Sequence, residues 1–198
     1  RDAWINLFLV AGFYFFAKFI RYGLWSWAAY FLATTYHRDE ASAALYSTAF
    51  DVAGIFGVIA TGWLSDRYFA SRRGEIALIM MLGMVAVTAL LMLFGGTSVW
   101  VFVVLLAAVG FTLYGPDALL TGAGAMDIGS RRLATFAAAT ISGFGSVGAA
   151  VQELVISRMY DPDAGLGPIF GMLFGSAVMA SVFCGALVWR NRLGGKGI

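Results

Sequence analysis

Ala17-Lys18-Phe19-Ile20-Arg21-Tyr22-Gly23-Leu24-Trp25 lies inside an apolar stretch, Trp4–Thr34, that is otherwise uninterrupted by charge. About 20 predominantly apolar residues suffice to cross a bilayer as a helix. An ionised side chain at membrane depth costs about 2.5 kcal/mol or more, so it faces a cavity or a partner rather than lipid. Lys18 and Arg21 are three residues apart and fall on one side of a helix. A cationic face inside a bilayer suits an anion, and the stretch reads as the binding helix of a carrier for anionic solutes.

The remainder of the chain fits that class. Of its 198 residues 61% are hydrophobic and only 12% charged, and the mean hydropathy is +0.83. A water-soluble domain of this composition would lack the polar side chains to cover its surface. The expected fold is therefore all-α: a polytopic membrane protein with spans over 4–34, 43–64, 76–94, 99–120, 133–156 and 168–189, forming one transmembrane domain over 1–198. The fifth stretch is the least apolar and is rich in Gly, Ala, Ser and Thr, residues that allow close helix approach; it reads as an interior helix. Cys184, the only cysteine, lies in an apolar run and reads as a small packing residue.

Charge in the loops alternates. Arg1, Arg67, Arg72, Arg73, Arg131, Arg132, Arg190, Arg192 and Lys196 fall on one side of the spans, against Arg38 and Arg158 on the other. The positive-inside rule puts the first set, and both termini, in the cytoplasm. The chain opens Arg-Asp-Ala-Trp-Ile-Asn, without an initiator Met or a signal peptide, and enters a span almost at once. That beginning reads as a cut through a longer polypeptide. Six spans with both ends inside match one half of a twelve-helix carrier, with a second six-helix half missing. A short internal echo, Tyr22-Gly23 in the first span and Tyr114-Gly115-Pro116 in the fourth, falls where two three-helix repeats would place corresponding positions.

Between the second and third spans the chain reads Gly62-Trp63-Leu64-Ser65-Asp66-Arg67-Tyr68-Phe69-Ala70-Ser71-Arg72-Arg73-Gly74. Asp66 at a helix end is placed to accept charge-assisted hydrogen bonds, and the arginines to meet anionic headgroups. The reading is a cytoplasmic latch, as against simple topology marking by basic residues. This segment resembles the Gly-x-x-x-Asp-Arg-x-Gly-Arg-Arg signature of the major facilitator superfamily, with a longer gap between the arginines and Ala/Ser in the usual Gly region. Arg21-Tyr22-Gly23-Leu24-Trp25-Ser26-Trp27, Asp51-Val52-Ala53-Gly54-Ile55-Phe56-Gly57, Tyr114-Gly115-Pro116, and Ala125-Met126-Asp127-Ile128-Gly129-Ser130-Arg131-Arg132 followed by Gly143-Phe144-Gly145-Ser146-Val147-Gly148 resemble, in order, segments of the organophosphate:phosphate antiporter family. The resemblance covers nearly the whole chain and implies the C-terminal half of a major-facilitator fold. It further implies an alternating-access exchanger of organic phosphate and inorganic phosphate, with Arg21 as one of two phosphate-gripping arginines.

The residues themselves leave several roles open. Arg21 suits phosphate because its planar fork donates paired hydrogen bonds and keeps its charge. Lys18 either adds a contact to the anion or pairs with a carboxylate. Tyr22 and Trp25 are expected to wall the site, and Trp27 to be a packing or interfacial aromatic. Asp51 is expected to pair with Lys18 or Arg21. Asp117 is expected to link to Arg131, Arg132 or the latch loop. Glu153 reads as a possible outer gate or proton site, or as a solvated helix end, and His37 as a solvated loop residue. There is no Cys/His cluster, phosphate-cradling loop, nucleophile elbow or basic–aromatic pattern for nucleic acid, so no metal, cofactor or catalytic role is expected. The absence of retention or organelle signals favours a bacterial inner membrane. The rival readings are a proton-coupled carrier of another organic anion, with Asp51 or Glu153 titrating, and a transporter-like membrane sensor of sugar phosphates.

Overall fold

The computed structural model describes residues 2–68, 73–160 and 165–193, with the side chains of Asp2 and of 123–133 outside that description. Among the described residues every element is helical: α1 (Asp2–Thr35), α2 (Glu40–Ser47), α3 (Ala49–Tyr68), α4 (Arg73–Phe94), α5 (Val99–Asp117), a π-helical turn (Ala118–Ala123), α6 (Gly124–Met159) and α7 (Gly167–Arg192). They form six helices long and apolar enough to cross a membrane. Large apolar side chains are exposed along α3 (Ile55, Phe56, Ile59, Trp63) and α4 (Ile79, Leu82, Leu93). Water would penalise such a surface, whereas lipid accepts it.

The second span is two helices in series. Asp39 caps α2, its carboxylate accepting the Ser42 N–H at 3.0 Å, and those Ser42 hydrogen bonds hold its carboxyl below the ordinary range. At the α2–α3 junction the Ser47 and Thr48 hydroxyls donate to the carbonyls of Ala44 and Leu45 at 2.8 and 2.6 Å. Such hydroxyls compete with the helix ladder and bend it. A second irregularity follows Pro116, which has no N–H to give the ladder; the π turn begins two residues later. The fourth loop expected near 121–132 is therefore helical backbone that runs from the π turn into α6.

Helix packing has an internal symmetry. α1 packs on α6 and α7, α5 packs on α3 and α4, and α4 packs on α7. Exchanging each of the first three spans with the span three later maps this set of pairs onto itself, the arrangement expected of two three-helix repeats. Two Gly-x-x-Gly pairs carry it. On α3, a Cβ at Gly54 would strike the Tyr114 ring, and one at Gly57 the Phe111 carbonyl of α5. On α6, a Cβ at Gly145 would strike the Tyr14 ring, and one at Gly148 the Phe15 carbonyl of α1. Within this chain the fifth span is tightly apposed to α1 on one face. It packs little on α7, and Phe144, Val147 and Leu154 on its far side are exposed.

α4 and α7 close the opposite side. Ser181 donates to the Met81 carbonyl at 3.2 Å, and Cys184 is fully buried against Gly74. Arg192 pairs with Glu75 at 3.2 Å where α7 ends and α4 begins. At the other end of the bundle the Tyr36 hydroxyl donates to the Gly95 carbonyl, and His37, exposed in the α1–α2 turn, adopts a φ of +52°.

Candidate functional site

α1, α3 and α5 enclose a cleft of about 210 Å³ lined by Arg21, Tyr22, Trp25, Asp51 and Tyr114. Arg21 organises it. Its Nη1 donates to Asp117 Oδ2 at 2.9 Å, and a third of its side chain remains open to the cleft. The guanidinium carbon lies 4.3 Å from the centroid of the Tyr114 ring, a cation–π contact that fixes the plane of the fork. The Tyr114 hydroxyl in turn donates to Asp51 Oδ1 at 2.5 Å. Asp51, Tyr114, Arg21 and Asp117 therefore form one chain of contacts through three spans. A guanidinium has five N–H donors, so pairing with Asp117 leaves donors on Arg21 for an anion in the cleft.

Two expectations change here, and a third residue gains a partner the sequence did not suggest. Asp51 pairs with neither Lys18 nor Arg21: the Tyr114 hydroxyl holds it, and Asp117 has taken Arg21. Asp117, the last residue of α5, is only 7% exposed, its carboxylate turned towards α1. Its described partners are Arg21 and Thr121, whose hydroxyl donates to the Asp117 carbonyl at 2.6 Å and lies 3.4 Å from Oδ1; the side chains of Arg131 and Arg132 fall outside the described residues. Lys18 does not line the Arg21 cleft. Its Nζ lies 3.4 Å from Ser146 Oγ on α6 and over the rings of Tyr14 and Tyr22, at 5.1 and 5.7 Å. At 100° per residue, a separation of three residues leaves two side chains about 60° apart. That offset sends Arg21 towards α5 and Lys18 towards α6.

Tyr22 and Trp25 stand as walls of the cleft, their rings 6.0 Å apart and nearly perpendicular. Tyr114 was legible only as part of the Tyr-Gly-Pro echo and carried no site role in the sequence. Ser146 was quoted only within a Gly-rich segment and carried no role of its own, and Thr121 and Tyr14 gave no signal.

A second, more open cleft of about 510 Å³ lies further along α1, lined by Ser26, Trp27, Tyr30, Glu153, Ser157 and Tyr160. Glu153 is not simply solvated: the Trp27 indole N–H donates to its Oε2 at 2.9 Å. Of the latch residues, Asp66 and Arg67 are exposed in the last turn of α3 and Arg73 opens α4. Arg72, like Arg1 and Lys196, lies outside the described residues.

An apolar six-span bundle around a polar cleft with a membrane-embedded arginine defines an integral, multi-pass membrane protein. No family model matches the chain. It is 31% identical over 181 residues to the glycerol-3-phosphate transporter of Bacillus subtilis, covering 89% of this chain and 39% of that protein. It is 32% identical over 184 residues to a glucose-6-phosphate exchanger of Danio rerio, covering 89% of this chain and 36% of that protein. The chain belongs to the organophosphate:phosphate antiporter family of the major facilitator superfamily. It spans well under half the length of these relatives.

Proposed function

We propose that this chain is the C-terminal six-helix half of a secondary carrier, and that the whole carrier moves a phosphorylated organic anion in exchange for inorganic phosphate. The carrying observation is Arg21: an always-charged fork in a spanning helix, flattened against Tyr114 and open to a small cleft. Phosphate matches that fork in charge and geometry. Tyr22 and Trp25 contact the organic group, and Lys18, behind Tyr22, adds long-range positive potential. The missing N-terminal half supplies the facing wall, and rocking of the two halves around the site gives alternating access. Asp66, Arg67, Arg72, Arg73, Arg131 and Arg132 form the cytoplasmic latch. Both termini are cytoplasmic, in a bacterial inner membrane. The chain carries out no covalent chemistry.

The test is phosphate self-exchange by the full-length carrier in phosphate-loaded liposomes. Uptake of labelled phosphate should depend on internal phosphate. Arg21→Lys should reduce it at least about tenfold, since a point charge does not replace a bidentate fork. Folded, inserted protein with no exchange, or Arg21→Lys at full activity, overturns the reading.

A further inference from the structure

The wider cleft between α1 and α6 has the opposite chemistry to the Arg21 site, and the phosphate reading makes no use of it. Its charged group is Glu153, half-buried near the end of α6. Among the described residues Glu153 has no cationic partner. Arg158, little more than one turn further on, is exposed and donates from Nη1 to the Leu154 carbonyl at 3.3 Å. Glu153 instead accepts the Trp27 indole N–H at 2.9 Å. A neutral donor orients a carboxylate and leaves its negative charge in place. An ionised group in a spanning helix calls for a counter-charge.

The other large side chains of this cleft are aromatic. Trp27, Tyr30 and Tyr160 line it together with Glu153. The Tyr30 ring stands at 90° to Trp27, centroids 5.7 Å apart, and at 70° to Tyr160, centroids 5.3 Å apart. Rings so inclined bound the space on different sides rather than as one flat wall. An aromatic face carries negative quadrupolar charge and attracts a cation within about 6 Å of its centroid. A tryptophan of an interfacial belt turns its polar edge to the headgroups, whereas Trp27 turns its N–H to the carboxylate of the cleft. The cleft, about 510 Å³, has room for a methylated ammonium group. It is also separate from the Arg21 site. Nine residues separate Arg21 from Tyr30, about 13.5 Å along α1 and half a turn out of phase.

We propose that the Glu153, Trp27, Tyr30 and Tyr160 cleft binds an alkylammonium group, borne by an organic solute or by a lipid headgroup. Glu153 supplies the counter-charge. The rings supply faces that favour a weakly hydrated organic cation over a small inorganic one, which keeps its water. The site does not depend on Arg21 receiving phosphate.

The probe is choline, titrated onto the full-length carrier in a maltoside detergent and followed by saturation-transfer NMR. Its neutral isostere, 3,3-dimethylbutan-1-ol, has the same shape with carbon in place of the charged nitrogen. Choline should bind saturably and the isostere at least about tenfold more weakly. That comparison is made on wild-type protein, where no loss of folding can mimic it. Potassium at the same concentration should not displace choline. Glu153→Gln should weaken choline binding at least about tenfold, through loss of the counter-charge. Tyr30→Leu should weaken it about threefold or more, whereas Tyr30→Phe keeps the ring and should bind as the wild type does. A repeat in phosphatidylethanolamine nanodiscs separates the two sources. Choline binding retained there assigns the site to a solute, and binding lost there assigns it to the ammonium group of the lipid. No saturable choline binding in detergent overturns the proposal, and is the result expected if a cationic side chain from the rest of the carrier fills the cleft. Equal binding of choline and its isostere, or full choline affinity in Glu153→Gln, overturns it as well.

Discussion

Tyr114 is the residue on which the cleft turns. Its ring supports the Arg21 guanidinium and its hydroxyl satisfies Asp51. The two functions separate by substitution. Tyr114→Phe keeps the ring and leaves the Asp51 carboxylate without its donor; a hydrogen bond to a charged group is worth about 1.5–3 kcal/mol when buried. Because Asp51 is only half-buried, we expect a smaller effect, about a three- to tenfold rise in half-saturation for phosphate exchange. Tyr114→Leu also removes the cation–π face, worth about a further 0.5–2 kcal/mol, and should be clearly worse. Equal effects of the two variants in exchange kinetics would mean that the ring contributes nothing to holding Arg21. The sequence revealed Arg21 because a charge inside an apolar run stands out by composition alone. Tyr114 did not stand out, since one tyrosine among eight in an aromatic-rich chain carries no such contrast. The pairing of Asp117 with Arg21 was not foreseen, for a different reason. Counting residues from a span's end gives depth, whereas a partner is set by helical phase and by where the helix stops, and Pro116 and the π turn alter both.

At the scale of the element, the Gly54/Gly57 pair of α3 explains why Tyr114 reaches Asp51 at all. α3 and α5 approach closely enough that Gly57 faces a backbone carbonyl and Gly54 a tyrosine ring. Gly57→Ala would place a methyl group on the Phe111 carbonyl and force the helices apart. Overpacking of this kind costs about 1–3 kcal/mol. Gly62, five residues further along α3, has open space where its Cβ would go. Thermal unfolding in detergent should therefore show Gly57→Ala several degrees below the wild type and Gly62→Ala unchanged. If Gly62→Ala were as harmful, the cost would be general helix perturbation rather than the α3–α5 contact. The existence and order of these helices were legible from apolar run length. Their pairing was foreshadowed only by the Tyr-Gly echo: Tyr22 and Tyr114, at equivalent places in the two repeats, line the same cleft. The bend at Thr48 and the helical connection after Asp117 were not legible, because side-chain hydroxyls and a proline decide them within an unbroken apolar pattern.

For the whole molecule, the consequence of alternating spans is a polarised distribution of charge. Arg67 at the end of α3, Arg73 at the start of α4, and Arg190 and Arg192 at the end of α7 share one end of the bundle. Arg38 lies at the other, beside the turn into α2. Arg192 is paired with Glu75, but the positive-inside bias counts Lys and Arg near span ends rather than net charge. The cluster should therefore face the cytoplasm, with the α1–α2 turn outside. Cys184 is fully buried, so it should remain silent to an impermeant maleimide in intact cells. Arg38→Cys, exposed in the α1–α2 turn, should label from outside. Arg67→Cys, exposed in the last turn of α3, should label only after permeabilisation. Labelling of Arg67→Cys in intact cells would invert the orientation and put the Asp66–Arg73 segment on the outer face, where it could not act as a cytoplasmic latch. The inverted result would leave the Arg21 cleft and the Arg21–Asp117 ion pair unchanged, because those depend on packing among α1, α3 and α5 and not on which side each end faces.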